Sequence, residues 1–113
     1  MVMADYVPDR GDIVWIMLNP QVGHEQAGRR PSLVLSPRSY NQKVGLAILC
    51  PINSQAKGYP FEVVIPTGLP IKGVVLSDQV KSLDWRARNT EHICILPEEA
   101  TQEVLNKLTL LLK

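Results

Sequence analysis

Short apolar runs, each fenced by glycine, proline, asparagine or serine, decide most of what this chain can become. Residues 13–18 read IVWIML and stop at Asn19-Pro20; residues 33–35 follow Pro31 and stop at Ser36-Pro37. Residues 46–50 (LAILC), 61–65 (FEVVI), 74–76 (VVL) and 93–96 (ICIL) repeat the pattern. Runs of this length, rich in branched residues and bounded by turn formers, predict strands. They are continuous rather than strictly alternating, which predicts burial on both faces, as in a small barrel or sandwich.

Only the C-terminus predicts a helix. Pro97 suits a helix start, and Glu98 and Glu99 complement the positive end of its dipole. Ala100, Val104, Leu108, Leu111 and Leu112 recur at helical spacing as a stripe that caps the strands. Five or six strands followed by one helix make an antiparallel, mostly-β domain of α+β character. At 113 residues the expectation is one domain spanning 1–113.

Composition mainly excludes. With 45% hydrophobic and 20% charged residues the chain falls in the ordinary globular range. Cys50 and Cys94 are isolated in apolar surroundings and read as small hydrophobes in strands; with two histidines at no ligand spacing, a zinc site is not expected. No apolar run has the length of a membrane span and no signal peptide is legible, so a cytoplasmic protein is expected. The formal net charge is +1, so affinity for nucleic acid has to come from local clustering, with the arginines at 29, 30, 38, 86 and 88 as candidates.

The segment GHEQAGRRPSLVLS, residues 23–36, puts Glu25, Arg29 and Arg30 directly before a strand. Arginine is a planar, permanently charged fork that matches phosphate geometry. The two arginines cannot both face the same side once the strand has begun, because neighbours alternate. Glu25 can share a site with one of them if the loop turns at Gly28. Spacing alone leaves open a plain solvated ion pair and an anion site with a carboxylate beside it. In the second reading the chemistry is RNA cleavage: a carboxylate takes the 2′-hydroxyl proton and a guanidinium stabilises the phosphorane. Arginine is too weak an acid to be a ready proton donor, so Arg30 is read first as an electrostatic stabiliser. Single-stranded RNA also needs stacking surfaces. Tyr59 and Trp85, in polar loops, are better placed for that than Trp15 and Phe61, which are expected in the core; Tyr40 is a further aromatic.

The segments GDIVWIMLNP, GHEQAGRRPSLVLS, PINSQAKGYPFEVV and GVVLSDQVKSLDWRAR together resemble the MazF/PemK family of toxin endoribonucleases over nearly the whole chain. The resemblance implies an SH3-like (CcdB/PemK-type) small antiparallel β-barrel with a C-terminal helix, acting as a homodimer. It implies cleavage of single-stranded RNA without metal or other cofactor, leaving 2′,3′-cyclic phosphate and 5′-hydroxyl ends. It also implies inhibition by a small acidic, MazE-like antitoxin.

Carried over position by position, Glu25 matches the family's glutamate and Arg30, before Pro31, its catalytic arginine. Arg29 stands where some members have histidine, and an arginine there suits phosphate gripping. Asn53 stands where members often carry threonine; its amide NH2 can reach a phosphate oxygen, and Ser54 offers a hydroxyl. Glu25, Arg30, Asn53 and Ser54 are therefore the catalytic candidates. Arg29, Gln26, Gln55, Lys57, Tyr59, Gln79, Lys81, Trp85 and Arg86 are the candidates for holding RNA. His24 reads as a surface histidine. An Asp84 ion pair with Arg86 or Arg88 is the plain structural expectation for SLDWRAR. Two other functions stay in view: a toxin that poisons DNA gyrase by contact alone, and a degenerate homologue that only binds antitoxin.

Overall fold

A computed structural model describes residues 6–18 and 28–113. The elements in chain order are β1 (Asp12–Met17), β2 (Arg29–Val34), α1 (Arg38–Val44), β3 (Ala47–Asn53), β4 (Glu62–Val64), β5 (Val74–Leu76), β6 (Lys81–Leu83), β7 (Glu91–Ile95) and α2 (Glu98–Leu110). The strands form one seven-stranded sheet in the order β4-β5-β3-β2-β1-β7, with β6 also on β3. All pairs are antiparallel. The expected antiparallel, mostly-β fold with a C-terminal helix is the one found, as an open curled sheet with β4 and β7 at its ends.

The curl turns on β3. Its first half, Ala47–Leu49, pairs with β6, and its end, Ile52–Asn53, pairs with β5. Pro51 stands where the partner on that edge changes, and having no N–H it has no ladder bond to lose there.

Apolar runs replace alternation because both faces are covered. Ile13, Leu33, Cys50 and Ile52 face one core, which also takes Val63, Val75, Leu96 and the α2 residues Ala100, Val104 and Leu108. Their strand neighbours Val14, Ile16, Val34 and Leu49 face a second core closed by Ala47, Leu18 and Trp85, with Tyr6, Val7 and Leu83 beside it. Cys50 is buried and Cys94 half-buried, and both are free thiols.

The structure corrects several local expectations. Leu111 and Leu112 lie beyond the end of α2 and are exposed, so the buried stripe ends at Leu108. Helix α1 and strand β6 carry no sequence signal of apolar periodicity. Trp15, expected in the core, is 37% exposed because its face of β1 runs past the first core; Phe61 is half-buried. No helix among the described residues is long and apolar enough to cross a membrane.

Candidate active site

Strand register brings the candidates together. Ile16 pairs with Arg30 and Met17 with Arg29, so the two arginines leave β2 on opposite faces. Arg30 takes the face of Val34 and the second core. On β3, Ser32 pairs with Pro51, so Asn53, two residues on, shares that face. Leu49 of the second core pairs with Lys81, which puts Lys81 on the same face as well. Gln79 lies in the turn after β5, where its N–H donates to the Leu76 carbonyl at 3.1 Å. Arg30, Asn53, Gln79 and Lys81 are all half-buried, with Arg30 and Asn53 toward one end of this face and Lys81 farther along it beside Leu49. Arg88 joins them from the 84–90 turn: its guanidinium donates to the Met17 carbonyl at 2.9 Å, and its own carbonyl accepts the Met17 N–H at 3.1 Å.

Asn53 is tightly specified. Its Oδ1 accepts the Gln55 N–H at 3.2 Å, so the group it offers a ligand is the amide NH2. Behind it stands Gly73 at φ +129°, where a Cβ would lie 2.0 Å from the Asn53 carbonyl oxygen and 2.9 Å from Ser54 Cα. Only glycine allows that approach, and no sequence motif marks the residue. Ser54, Gln55 and Lys57 are exposed on the loop that follows.

Arg29 is engaged elsewhere. Its guanidinium donates to the Asn89 carbonyl and pairs with Glu91 of β7, and it lies 6.0 Å from the Trp15 ring centre. That makes it first a tie between β2 and β7 at the rim of the site. The arginine patch is thus divided. Arg29, Arg30 and Arg88 converge at this end, whereas Arg38 bonds Asp9 and the Val7 carbonyl, and Arg86 donates to the Gln42 carbonyl at 2.9 Å.

Trp85 does not offer a stacking face. It is 6% exposed, closes the second core, and donates its indole N–H to the Asn41 carbonyl at 3.0 Å. The Arg86 guanidinium lies 4.9 Å from its ring centre. Both residues are bound to α1, which the sequence did not disclose, so their assignment to RNA is withdrawn. Asp84 accepts the backbone N–H groups of Arg86 and Ala87 at 3.1 and 3.2 Å, in place of the expected side-chain pair with Arg86.

Tyr59 lies on the loop before β4. It is 47% exposed, and its hydroxyl donates to Asp78 Oδ2 at 2.6 Å. That bond raises the phenol above its ordinary value, so it stays a donor. Glu25 and Gln26, like His24, lie outside the described residues.

Residues 9–112 match the PemK-like, MazF-like toxin family of type II toxin–antitoxin systems. This chain belongs to the PemK/MazF toxin family. It is 50% identical to the endoribonuclease toxin MazF of Escherichia coli K12 over 99 residues, covering 87% of this chain and 88% of that protein. It is 34% identical to the endoribonuclease PemK of Escherichia coli over 108 residues, 92% of this chain and 81% of that one. The crystal structure of MazF from Deinococcus radiodurans superposes with a TM-score of 0.93 at 55% identity, covering 96% of this chain and 98% of the other. A MazE–MazF complex from the same organism matches at 0.86 and 49% identity, covering 96% and 97%.

Proposed function

We propose that this protein is the endoribonuclease toxin of a toxin–antitoxin system, cutting single-stranded mRNA in the cytoplasm without a metal and so arresting translation and growth. The observation that carries the reading is the placement of Arg30, Asn53 and Lys81 on one face of β2, β3 and β6, in a chain half identical to a MazF endoribonuclease.

The reaction needs only what these residue types supply. Glu25 takes the 2′-hydroxyl proton as the 2′-oxygen bonds to phosphorus. Arg30 and the Asn53 NH2 stabilise the charge that builds on the phosphorane oxygens. The P–O5′ bond then breaks, the 5′-oxygen takes up a proton from water, and 2′,3′-cyclic phosphate and 5′-hydroxyl ends remain. The Ser54 hydroxyl, Gln55, Lys57, Gln79 and Lys81 line the path, with Arg29 bracing its rim, and Gln26 is a further residue for holding RNA. The working unit is a homodimer, and the inhibitor is an acidic MazE-like antitoxin whose charge complements a local basic groove.

The test is cleavage of a long RNA in the presence of EDTA with chemical mapping of the ends. Cuts at one short single-stranded motif with cyclic phosphate are expected. Glu25→Gln and Arg30→Ala should each abolish them in folded protein. Gyrase binding with no RNA cleavage would instead establish a contact-only toxin. Antitoxin binding without translation arrest would establish a degenerate homologue, the outcome that an asparagine at position 53 makes worth measuring.

A further inference from the structure

We infer that Glu91 and Asn89 are positioning residues of the ribonuclease, acting through Arg29 to fix the strand ends that flank the Glu25 segment. The inference rests on the ribonuclease reading and deepens it.

A pair of antiparallel strand ends is ordinarily held by its own ladder. Here Met17 pairs with Arg29, and the Leu18 N–H donates to the Gly28 carbonyl at 2.8 Å. Both strand ends are also gripped by a third stretch of chain. Arg88 holds Met17 through its carbonyl at 3.1 Å and its guanidinium at 2.9 Å. The Asn89 carbonyl and the Glu91 carboxylate both accept from the Arg29 guanidinium. Glu25 stands three residues before Gly28 in the chain, so whatever fixes Gly28 and Arg29 fixes one end of the segment that carries it.

The support is itself braced. The Thr90 hydroxyl donates to the carbonyl of Trp85, a residue of the second core, at 2.6 Å. Asn89 takes φ +55°, the one non-glycine at positive φ among the described residues, and from that conformation its carbonyl meets Arg29. Asparagine tolerates this backbone better than most side chains do.

The two adjacent arginines therefore divide the work. Arg29 lies on the face of β1 opposite to that of Arg30, beside Trp15, which pairs with Glu91. Glu91 is 67% exposed, and its carboxylate neutralises Arg29 and repels a phosphate brought there. An exposed ion pair adds little to stability, so its loss leaves a folded protein. A small misplacement of reacting groups, by contrast, is costly in rate.

Single-turnover and steady-state cleavage by Glu91→Ala, Arg29→Ala and the double variant test this. Each single change is expected to lower kcat about 10-fold, with KM and melting temperature close to wild type. The double variant should fall no further, because both changes cut one tie. Glu91→Gln keeps an acceptor oxygen and should recover part of the lost kcat; Asn89→Val, whose branched side chain disfavours positive φ, should lower kcat as Glu91→Ala does. A lower KM in Glu91→Ala would mean that Arg29 grips phosphate and Glu91 opposes it, which overturns the inference. Wild-type kcat in Glu91→Ala, or losses that add in full in the double variant, would overturn it too, and all three results leave the ribonuclease standing. Absence of any RNA cleavage by wild-type protein would overturn both.

Discussion

At the scale of single residues, Gly73 carries the sharpest consequence. With a Cβ 2.0 Å from the Asn53 carbonyl oxygen and φ at +129°, Gly73→Ala has to displace the backbone that presents Asn53. A loss of about 2–4 kcal/mol in urea unfolding is expected, with RNA cleavage falling further than the remaining folded fraction explains. Unchanged cleavage would mean that Asn53 does not need its present position. Cys50 gives a prediction in pH. Burial first, and the Asp78 carboxylate second, push its thiol from 9.0 up to about 12. Between those values the unfolded chain gives up this proton and the folded one keeps it, so stability falls as pH rises through the window, by about 1.4 kcal/mol per unit at most. Tyr6, raised by burial and by its bond to Asp12, adds to the decline above pH 10. Cys50→Ala should flatten the decline that begins near pH 9, measured by denaturation at stepped pH; an identical slope would remove the thiol from the account. Arg30 and Asn53 were legible in sequence because motif residues and charge survive in one dimension. Gly73, Glu62 and Asp78 were not, since their work lies in contacts with a loop whose path only the fold reveals.

At the scale of elements, strands were easy and α1 was invisible for the same reason. A strand buried on both faces writes itself as an apolar run, and β1 and β3 do so. The RSYNQKV segment has no apolar stripe to declare a helix; it is held by a buried asparagine instead. Asn41 Nδ2 donates to the Pro8 and Ser36 carbonyls at 2.8 and 3.0 Å, and its Oδ1 accepts from the Ser36 hydroxyl. That hydroxyl in turn accepts the Ile48 N–H at 2.8 Å, so one side chain joins the N-terminal segment, the end of β2 and the start of β3. Asn41→Ala leaves two buried carbonyls without donors and should cost about 2–4 kcal/mol, a large share of the stability of a small domain. Because the Asn41 carbonyl also holds the Trp85 indole, tryptophan emission should shift with the change. A variant as stable as wild type would show that α1 is fastened by other means. The misplacement of Trp85 on the RNA surface follows from the same gap, since its polar sequence neighbours gave no sign of the helix it docks against.

At the scale of the whole molecule, the question is how a chain of net charge +1 can hold a polyanion. The fold separates its charges. Arg38 and Arg86 are spent around α1, Lys107 is turned onto the Pro60 and Glu62 carbonyls, and the acids Glu98, Glu99 and Glu103 lie on α2. Arg30 and Arg88 lie at the far end of the second face, with Lys81 on the same face beside Leu49 and the exposed Lys57 on the loop that leaves that end. A phosphate chain running along that end meets cations even though the protein as a whole is almost neutral. Each phosphate neutralised releases counterions from single-stranded RNA, so log(kcat/KM) should fall linearly with log salt, by about 0.7 per contact made. Three such contacts give a slope near −2 by the same relation. Lys81→Gln removes one and should make the slope shallower by about 0.7, whereas Arg38→Gln, on the α1 side, should leave the slope as it was. Parallel salt plots for wild type and Lys81→Gln would place the RNA path off this face. An equal effect of both substitutions would mean that bulk charge, and not the local cluster, draws the RNA in.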